Sequence, residues 1–232
     1  MKMRSKGLLG HSIGRPNSVG RGVRMDRVFV YWDNSNIFHE AQRFAIERNE
    51  GPNARYRVRV NFENILRLAH ADRPLERALA AGSVPPELRH LWNRLDELGV
   101  DVALFDRGEP GRGEQNMPDR VLQLRMLEDA LDYNGDPGIV ALLTGDGAGY
   151  MEGAGFHSTL ERMHKRGWRI EILSWAHSCN QRMRSWAQEH GVFVPLDDFY
   201  EAITFMEPSR PGHEFAHERR SSELDLSRRP VA

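Results

Sequence analysis

Apolar and amphipathic stretches alternate along the chain between residues 27 and 206. Short apolar runs predict buried strands at 27–32, 76–83, 100–106, 138–146, 168–175 and 192–196. Apolar residues three and four positions apart predict helices at 36–48, 61–71, 85–99, 158–167 and 179–191, with a further helix beginning near Pro118. This alternation predicts an α/β fold, in which helices flank a central, mostly parallel sheet of five to six strands.

The two ends of the chain lack this pattern. Residues 1–26 are rich in Gly, Arg and Ser, and residues 207–232 are polar with mixed charge. Neither segment has enough apolar residues to offset the entropy that is lost on ordering. The sequence therefore predicts a disordered basic arm at 1–26, one folded domain at 27–206 and a disordered polar tail at 207–232.

Composition says more about the cellular environment of the protein than about its function. The 232 residues carry 32 Lys and Arg against 33 Asp and Glu, so no global charge indicates nucleic acid or an acidic membrane as partner. The single cysteine, Cys179, excludes an internal disulfide and a zinc site built from several cysteines. No apolar run approaches the roughly 20 residues of a membrane span. We therefore expect a cytoplasmic protein with no membrane partner.

Acidic residues stand at the ends of several predicted strands. The stretch VFVYWDNSNIFHE places Asp33 directly after the first strand, and Asp106 and Asp146 end two later strands. Asp119 lies in the first turn of the helix between those two. In open parallel sheets, ligands bind beyond the carboxyl ends of the strands. Because carboxylates that share a cleft repel one another, this spacing favours an open, catalytic Mg²⁺ or Mn²⁺ site between them.

Each acid also has a structural alternative. Asp33 would serve as the N-cap of the first helix, although residues 34–36 would cap equally well. Asp146 would fit a turn in the stretch TGDG, and Asp119 would stabilise the positive end of its own helix. For Asp106, Asp129 and Asp132 we expect a solvated or capping role. Singly the acids are weak signals, but the shared position of the other three at the ends of consecutive units favours a common site.

At these residues the sequence resembles a known family. The stretch VYWDNSNIF resembles the Asp-x-x-Asn segment that opens NYN domains, a branch of the PIN-like ribonucleases that includes LabA-type and limkain-type proteins. The stretch IVALLTGDGAGY resembles their Thr/Ser-Gly-Asp strand end, and the resemblance runs from about Val28 to Phe199. It implies a Rossmann-like PIN fold and cleavage of RNA phosphodiester bonds that depends on Mg²⁺ or Mn²⁺.

The resemblance also implies roles for four residues. Asp33 and Asp146 become metal ligands and catalytic residues, and Asn36 becomes a polar group that orients the site or the substrate. Asp119, in the stretch MPDRVLQL, takes the place of the acid in the family's Val-Asp segment and is the third ligand.

The sequence departs from the family pattern in two places. The family usually carries a second acid two residues after the Gly-Asp pair, where this chain has Ala148, or Gly155 in a second alignment. Glu152 is a candidate replacement ligand, against the alternative of an ordinary loop glutamate. The acid that commonly follows two helical turns after the Val-Asp segment is replaced by Met126, with Asp129 among the nearest carboxylates.

Four further residues are candidates for substrate binding. Thr144 would hydrogen-bond a ligand carboxylate or a water, and Arg120 would hold the RNA backbone, against the alternative of a solvated arginine. Ser178 and Asn180 lie at a predicted helix start, where backbone N–H groups bind phosphate well. Plain helix capping is the alternative for these last two.

The predicted function is a metal-dependent ribonuclease, a hydrolase whose RNA partner is expected to be single-stranded. The alternative is an RNA-binding or scaffolding module on the same fold that does not cleave, because one family acid is missing. A nucleotide-phosphate cradle in TGDGAGYMEGAG has little support, because no G-x-G-x-x-G opens a helix after the first strand. The pattern leaves a homodimer open, and it selects neither an RNA sequence nor endo- or exonucleolytic cleavage.

Overall fold

The computed structural model describes residues 26–84, 92–106, 117–145, 155–209, 211–212 and 214–232, so the predicted arm lies almost wholly outside the described residues. The helices are α1 (Asn34–Glu47), α2 (Ala54–Arg57), α3 (Phe62–His70), α4 (Asn93–Glu97), α5 (Met117–Asp132), α6 (Gly155–Lys165), α7 (Gln181–His190) and α8 (Tyr200–Ile203). The strands are β1 (Val28–Asp33), β2 (Val58–Val60), β3 (Leu75–Val84), β4 (Asp101–Asp106), β5 (Ile139–Leu143), β6 (Arg169–Ser174), β7 (Val192–Pro195) and β8 (Thr204–Met206). Short 3₁₀ helices cover Leu196–Phe199 and Leu226–Arg228.

Six strands form one parallel sheet in the order β4-β3-β1-β5-β6-β7. The chain starts in the middle at β1 and moves outward through β3 to β4. It then returns to β5, on the other side of β1, and moves outward through β6 to β7. The direction of winding therefore reverses between β1 and β5, and in open α/β sheets such a reversal opens a crevice for ligands. The predicted fold class is confirmed.

The central strand β1 is buried on both faces, which explains why its sequence is a near-continuous apolar run. Val28, Val30 and Trp32 pack on one face with residues of α1, α3 and α4. Phe29 and Tyr31 pack on the other face, which α5, α6 and α7 cover. Two apolar layers therefore hold the sheet, and they fix the helices that begin at its carboxyl edge.

Several elements differ from the prediction. The strand predicted at 76–83 is longer in the structure, where it is the ten-residue strand β3 that pairs with both β1 and β4. The helix predicted at 85–99 appears as α4, and residues 85–91 lie outside the described residues. The small antiparallel sheet of β2 and β8 has no counterpart in the prediction, because three residues are too few to show a strand period. No helix among the described residues is long and apolar enough to cross a membrane.

The prediction of a disordered tail at 207–232 is wrong for the described part of that segment. Arg57 donates hydrogen bonds to the carbonyl groups of Glu207 and His217, and Leu224 is buried. Arg219 forms a backbone bridge with Met206. The low apolar content of the tail predicts disorder. The structure shows instead that polar groups of the tail form hydrogen bonds with polar groups of the domain.

A buried ion-pair network fixes the end of the tail to the sheet. Glu171, in β6, is fully buried and accepts two hydrogen bonds of 2.7 Å from Arg73. Arg229 donates to Glu171 at 2.6 Å and to the carbonyl groups of Leu68 and Ala69 at 2.7 and 2.9 Å. Burial alone would raise the pKa of Glu171, but the hydrogen bonds from Arg73 and the charge of Arg229 hold it below its ordinary value.

Removing Arg229 should destabilise the domain strongly. Arg229→Ala removes one of the two arginines that neutralise Glu171. It also removes the donor to two buried carbonyl groups of α3, so we expect a loss of about 3 kcal/mol in the free energy of unfolding. Urea denaturation of the full chain measures this loss. Arg228→Ala changes the exposed neighbouring arginine and should stay within about 0.5 kcal/mol of the wild type. Equal effects of the two variants would contradict the anchoring role.

The network should also make stability depend on acid. Because the pKa of Glu171 in the folded protein lies below its ordinary value of 4.5, its contribution is complete above that pH and is lost as the pH falls through the lower folded pKa. The stability difference between wild type and Glu171→Gln should therefore shrink between about pH 5 and about pH 2. Denaturation curves across this range test the expectation, and a constant difference would argue against it.

Candidate active site

Asp33 is both the last residue of the central strand and the cap of the first helix. It is 1% exposed, and its Oδ1 accepts a hydrogen bond of 3.2 Å from the backbone N–H of Asn36. The Asn36 side chain donates a second hydrogen bond, of 2.5 Å, to Asp33 Oδ2. The capping alternative for Asp33 is therefore correct. It is compatible with a ligand role, because each carboxylate oxygen has two lone pairs and the cap fixes their direction.

The first turn of α1 is wedged between the ends of β3 and β5. Ser35 Oγ accepts a hydrogen bond of 3.0 Å from the backbone N–H of Ser83, near the end of β3. On the other side, a Cβ atom at Gly145 would lie 2.6 Å from the carbonyl oxygen of Asn36. Only glycine allows this approach, so the glycine of the Thr-Gly-Asp stretch brings the end of β5 against the Asp33 cap.

Two serines hold Gly145 in this position. Its carbonyl oxygen accepts hydrogen bonds from Ser174 Oγ at 3.0 Å and from Ser178 Oγ at 2.5 Å. Thr144, the preceding residue, is fully buried, and its backbone N–H donates to the Leu173 carbonyl at 3.2 Å. The predicted ligand Asp146 follows directly in sequence but lies outside the described residues. Ser178, predicted to bind substrate, thus orients the backbone that leads to Asp146.

Asn180 caps α7. Its side-chain oxygen accepts hydrogen bonds from the backbone N–H groups of Arg182 and Met183 at 3.0 and 3.2 Å. The capping alternative accounts for this side chain, and its predicted role in substrate binding stays a prediction.

Asp119 and Arg120 lie in the first turn of α5. This helix follows β4 and leads back to the start of β5, so its first turn lies at the carboxyl edge of the sheet, as Asp33 does. Asp119 is half-buried and stands one turn before the buried Leu122, whereas Arg120 is exposed. The topology therefore brings Asp33, Asp119 and Arg120 to one edge.

Asp129 does not replace the missing family acid. It is buried further along α5, where Tyr31 donates a hydrogen bond of 2.6 Å to it and Arg77 forms an ion pair with it. Burial and this hydrogen bond raise the pKa of Tyr31 well above its ordinary value, so the phenol keeps its proton and remains a donor. The expectation of a solvated or capping Asp129 is wrong, because a tyrosine on β1 and an arginine on β3 require a buried acceptor.

Sequence reasoning missed a polar network that holds the segment after β6. Glu40, buried on α1, accepts a hydrogen bond of 2.9 Å from His177 Nε2. Asp197 accepts a hydrogen bond of 2.7 Å from the backbone N–H of Ala176. These contacts position the turn that carries Ser178. No sequence signal could have found them, since the partners are 21 and 137 positions apart.

The donors at this edge suit a hard divalent cation. Asp33 and Asp119 supply carboxylate oxygens, and Asn36 supplies an amide, which is the ligand chemistry of Mg²⁺ or Mn²⁺. Within the described ranges, no three His, Cys, Asp or Glu residues gather into a metal-binding group. Asp146 and Glu152, the other predicted ligands, lie outside those ranges. The described residues therefore supply oxygen donors of the kind that this cation prefers, but they do not by themselves complete a metal-binding group.

The fold and a family comparison together define the class of protein. The six-stranded parallel sheet flanked by helices is consistent with a PIN-like fold. The NYN domain model matches residues 27–193, so this chain belongs to the NYN domain family. The resemblance read from the sequence is confirmed.

Other comparisons add the fold alone. A crystal structure of a protein of unknown function from Vibrio parahaemolyticus is similar, with a TM-score of 0.52 and 18% sequence identity. The similarity covers 77% of this chain and 97% of that chain. A search of curated proteins gave no match.

Gly145→Ala should disturb the site more than its size suggests. The added Cβ would meet the Asn36 carbonyl group at 2.6 Å, so β5 or the first turn of α1 must shift. We expect a loss of about 1 to 3 kcal/mol in unfolding free energy, measured by urea denaturation. Ser178→Ala removes one of the two donors to the same carbonyl and adds no atom, so about 1 kcal/mol is expected. A neutral Gly145→Ala variant would contradict the close packing.

Proposed function

We propose that this chain is a metal-dependent ribonuclease that hydrolyses phosphodiester bonds in single-stranded RNA. The observation that carries the proposal is the position of Asp33. It is a buried carboxylate at the carboxyl end of the central strand, beside the point of strand reversal, in an NYN domain. The membership of the family in the PIN-like nucleases supports the same reaction class.

The residues of this edge have distinct tasks in the proposed reaction. Asp33, Asp119 and Asp146 would hold a Mg²⁺ or Mn²⁺ ion. When bound, such an ion lowers the pKa of a bound water and offsets the charge of the scissile phosphate. Asn36 keeps both oxygens of Asp33 in one orientation through its two N–H donors. This is the task of a group that fixes a metal ligand.

Substrate binding follows from the electrostatics of the same edge. The partial positive charge at the N-terminus of α1 already stabilises the Asp33 carboxylate, so in this proposal a phosphate binds through the cation and Arg120. Arg120 is exposed in the first turn of α5 and would contact the RNA backbone. Thr144 is fully buried, so in this proposal it supports the end of β5 and does not contact RNA directly.

A second candidate function is RNA binding without cleavage. It is favoured by the missing family acid at Ala148 or Gly155 and by the engagement of Asp129 with Tyr31 and Arg77. In that case the edge would retain its affinity for phosphate and lack a complete ligand set.

Cleavage should need both the cation and Asp33. The test is a time course on end-labelled single-stranded RNA with Mn²⁺, with EDTA, and with the Asp33→Asn and Asp146→Asn variants. Asparagine caps helices as well as aspartate, so Asp33→Asn should fold normally and lose at least about 100-fold in rate, since it lacks the charge that holds the cation. Mn²⁺ should also raise the Tm of the wild type but not that of Asp33→Asn.

Asp225→Asn is the matched control for this experiment. It makes the same exchange in another capping residue, which accepts a hydrogen bond from the Ser227 backbone N–H in the tail, and it should leave the rate unchanged. Salt-sensitive RNA binding without cleavage would select the second candidate function. Cleavage that survives EDTA, or an active Asp33→Asn, would reject the metal site.

A further inference from the structure

The helix α5 exposes a line of apolar side chains. Met117, Leu124 and Leu131 are 37%, 58% and 63% exposed. They are seven residues apart, which is close to two helical turns, so they form one stripe along the helix. The remaining exposed large apolar residues of the described ranges lie singly on other elements: Ile46, Tyr56, Phe215 and Val231. Single exposed apolar residues are ordinary, whereas an aligned stripe indicates a binding surface.

Packing among the described residues does not explain the stripe. The opposite side of α5 carries Leu122 and Met126, which are fully buried against the sheet. A helix that packs on one side only is normally polar on the other. The helix lies over β1, β3 and β4 with α6 beside it, and β4 is an edge strand of the sheet. The stripe therefore faces outward at the border of the domain.

The charges beside the stripe select its occupant. Arg120 and Arg125 lie in the first half of the outward side of α5, and Glu128 and Asp132 lie in the second half. Arg125 and Glu128 also form an ion pair of 3.5 Å within the helix, which leaves Arg120 as the basic residue available to a second copy. Two copies of this helix packed antiparallel bring the basic half of one beside the acidic half of the other. Parallel packing would place like charges together, which costs free energy. The pattern is thus self-complementary, as a two-fold interface requires.

We propose that α5 is the two-fold interface of a homodimer, in which the helices of two copies pack antiparallel with Leu124 at the axis. Met117 of one copy then contacts Leu131 of the other, and Arg120 comes level with Glu128 of the other. Sixteen residues give a helix about 24 Å long. Such a helix pair is a small interface, so the dimer is weak and depends on concentration.

The arrangement has a consequence for the proposed active site. Asp119 lies in the first turn of the same helix, at the carboxyl edge of the sheet. Antiparallel packing places the two first turns at opposite ends of the helix pair. The two candidate sites therefore open at opposite ends of the dimer, and Arg120, the proposed RNA contact, borders the interface in each copy.

The oligomeric state of the full chain tests the proposal. Sedimentation equilibrium over a series of concentrations should give a mass that rises from 26.6 kDa toward twice that value. Leu124→Arg should keep the mass at that of the monomer. Ile46→Arg places the same charge at an exposed apolar position of α1, at 55% exposure, and should dimerise like the wild type. A monomer at every concentration, or equal dissociation by both variants, would overturn the proposal and leave the stripe to another partner.

Cross-linking tests the direction of the helices. With a short bismaleimide, Leu124→Cys should give a covalent dimer, because residue 124 lies at the axis. Leu131→Cys should not, because antiparallel packing separates the two copies of residue 131 by about 21 Å along the helix. The native Cys179 is buried, and the wild type provides the background for its reaction. Efficient cross-linking through residue 131 would indicate parallel helices and overturn the arrangement.

Charge exchange supplies an independent check. Arg120→Glu should weaken the dimer at least several-fold, and the double variant Arg120→Glu/Glu128→Arg should recover most of the lost affinity. Recovery is expected only where these two positions come level in the antiparallel pair. A double variant that dissociates as much as the single one would count against the pairing.

Discussion

The candidate site depends on one packing constraint. The first turn of α1 follows directly on β1 and lies between the ends of β3 and β5. Asp33 ends β1 and caps α1 at the same time, so the strand direction and the helix start fix one carboxylate. Ser35 accepts a hydrogen bond from the backbone at the end of β3, and Gly145 allows the end of β5 to pack against Asn36. Asp33, a buried acid, thus lies where the winding of the sheet reverses, which is the place where α/β folds bind ligands.

The buried acids of this domain divide into two kinds by their partners. Glu171 and Asp129 are held by arginines, and their charges are neutralised inside the fold. Their networks join distant segments: Glu171 ties the tail and α3 to β6, and Asp129 ties β1 and β3 to α5. Asp33 is oriented by hydrogen bonds from the backbone N–H and the side-chain amide of Asn36, at the carboxyl end of the central strand.

The helices α1 and α5 differ in where their apolar residues lie. On α1, the apolar side packs inward and the first turn supplies the site. On α5, apolar residues lie on both sides, so the helix packs on the sheet and still offers a stripe outward. The same helix carries Asp119 at its start, so the proposed catalytic edge and the proposed interface between copies share one rigid element.

The sequence by itself determined the α/β class, most of the strands and helices, and the acids at the carboxyl edge. It could do so because strand and helix periods are local, and because the ends of parallel strands must meet at one edge. Tertiary structure decided what each polar residue contacts. The partners of Asp129, Glu171 and Glu40 are far away in sequence, and the tail is ordered by such contacts although its composition resembles that of a disordered segment. Long-range hydrogen bonds leave no periodic trace, so only the folded chain separates a structural acid from a candidate ligand.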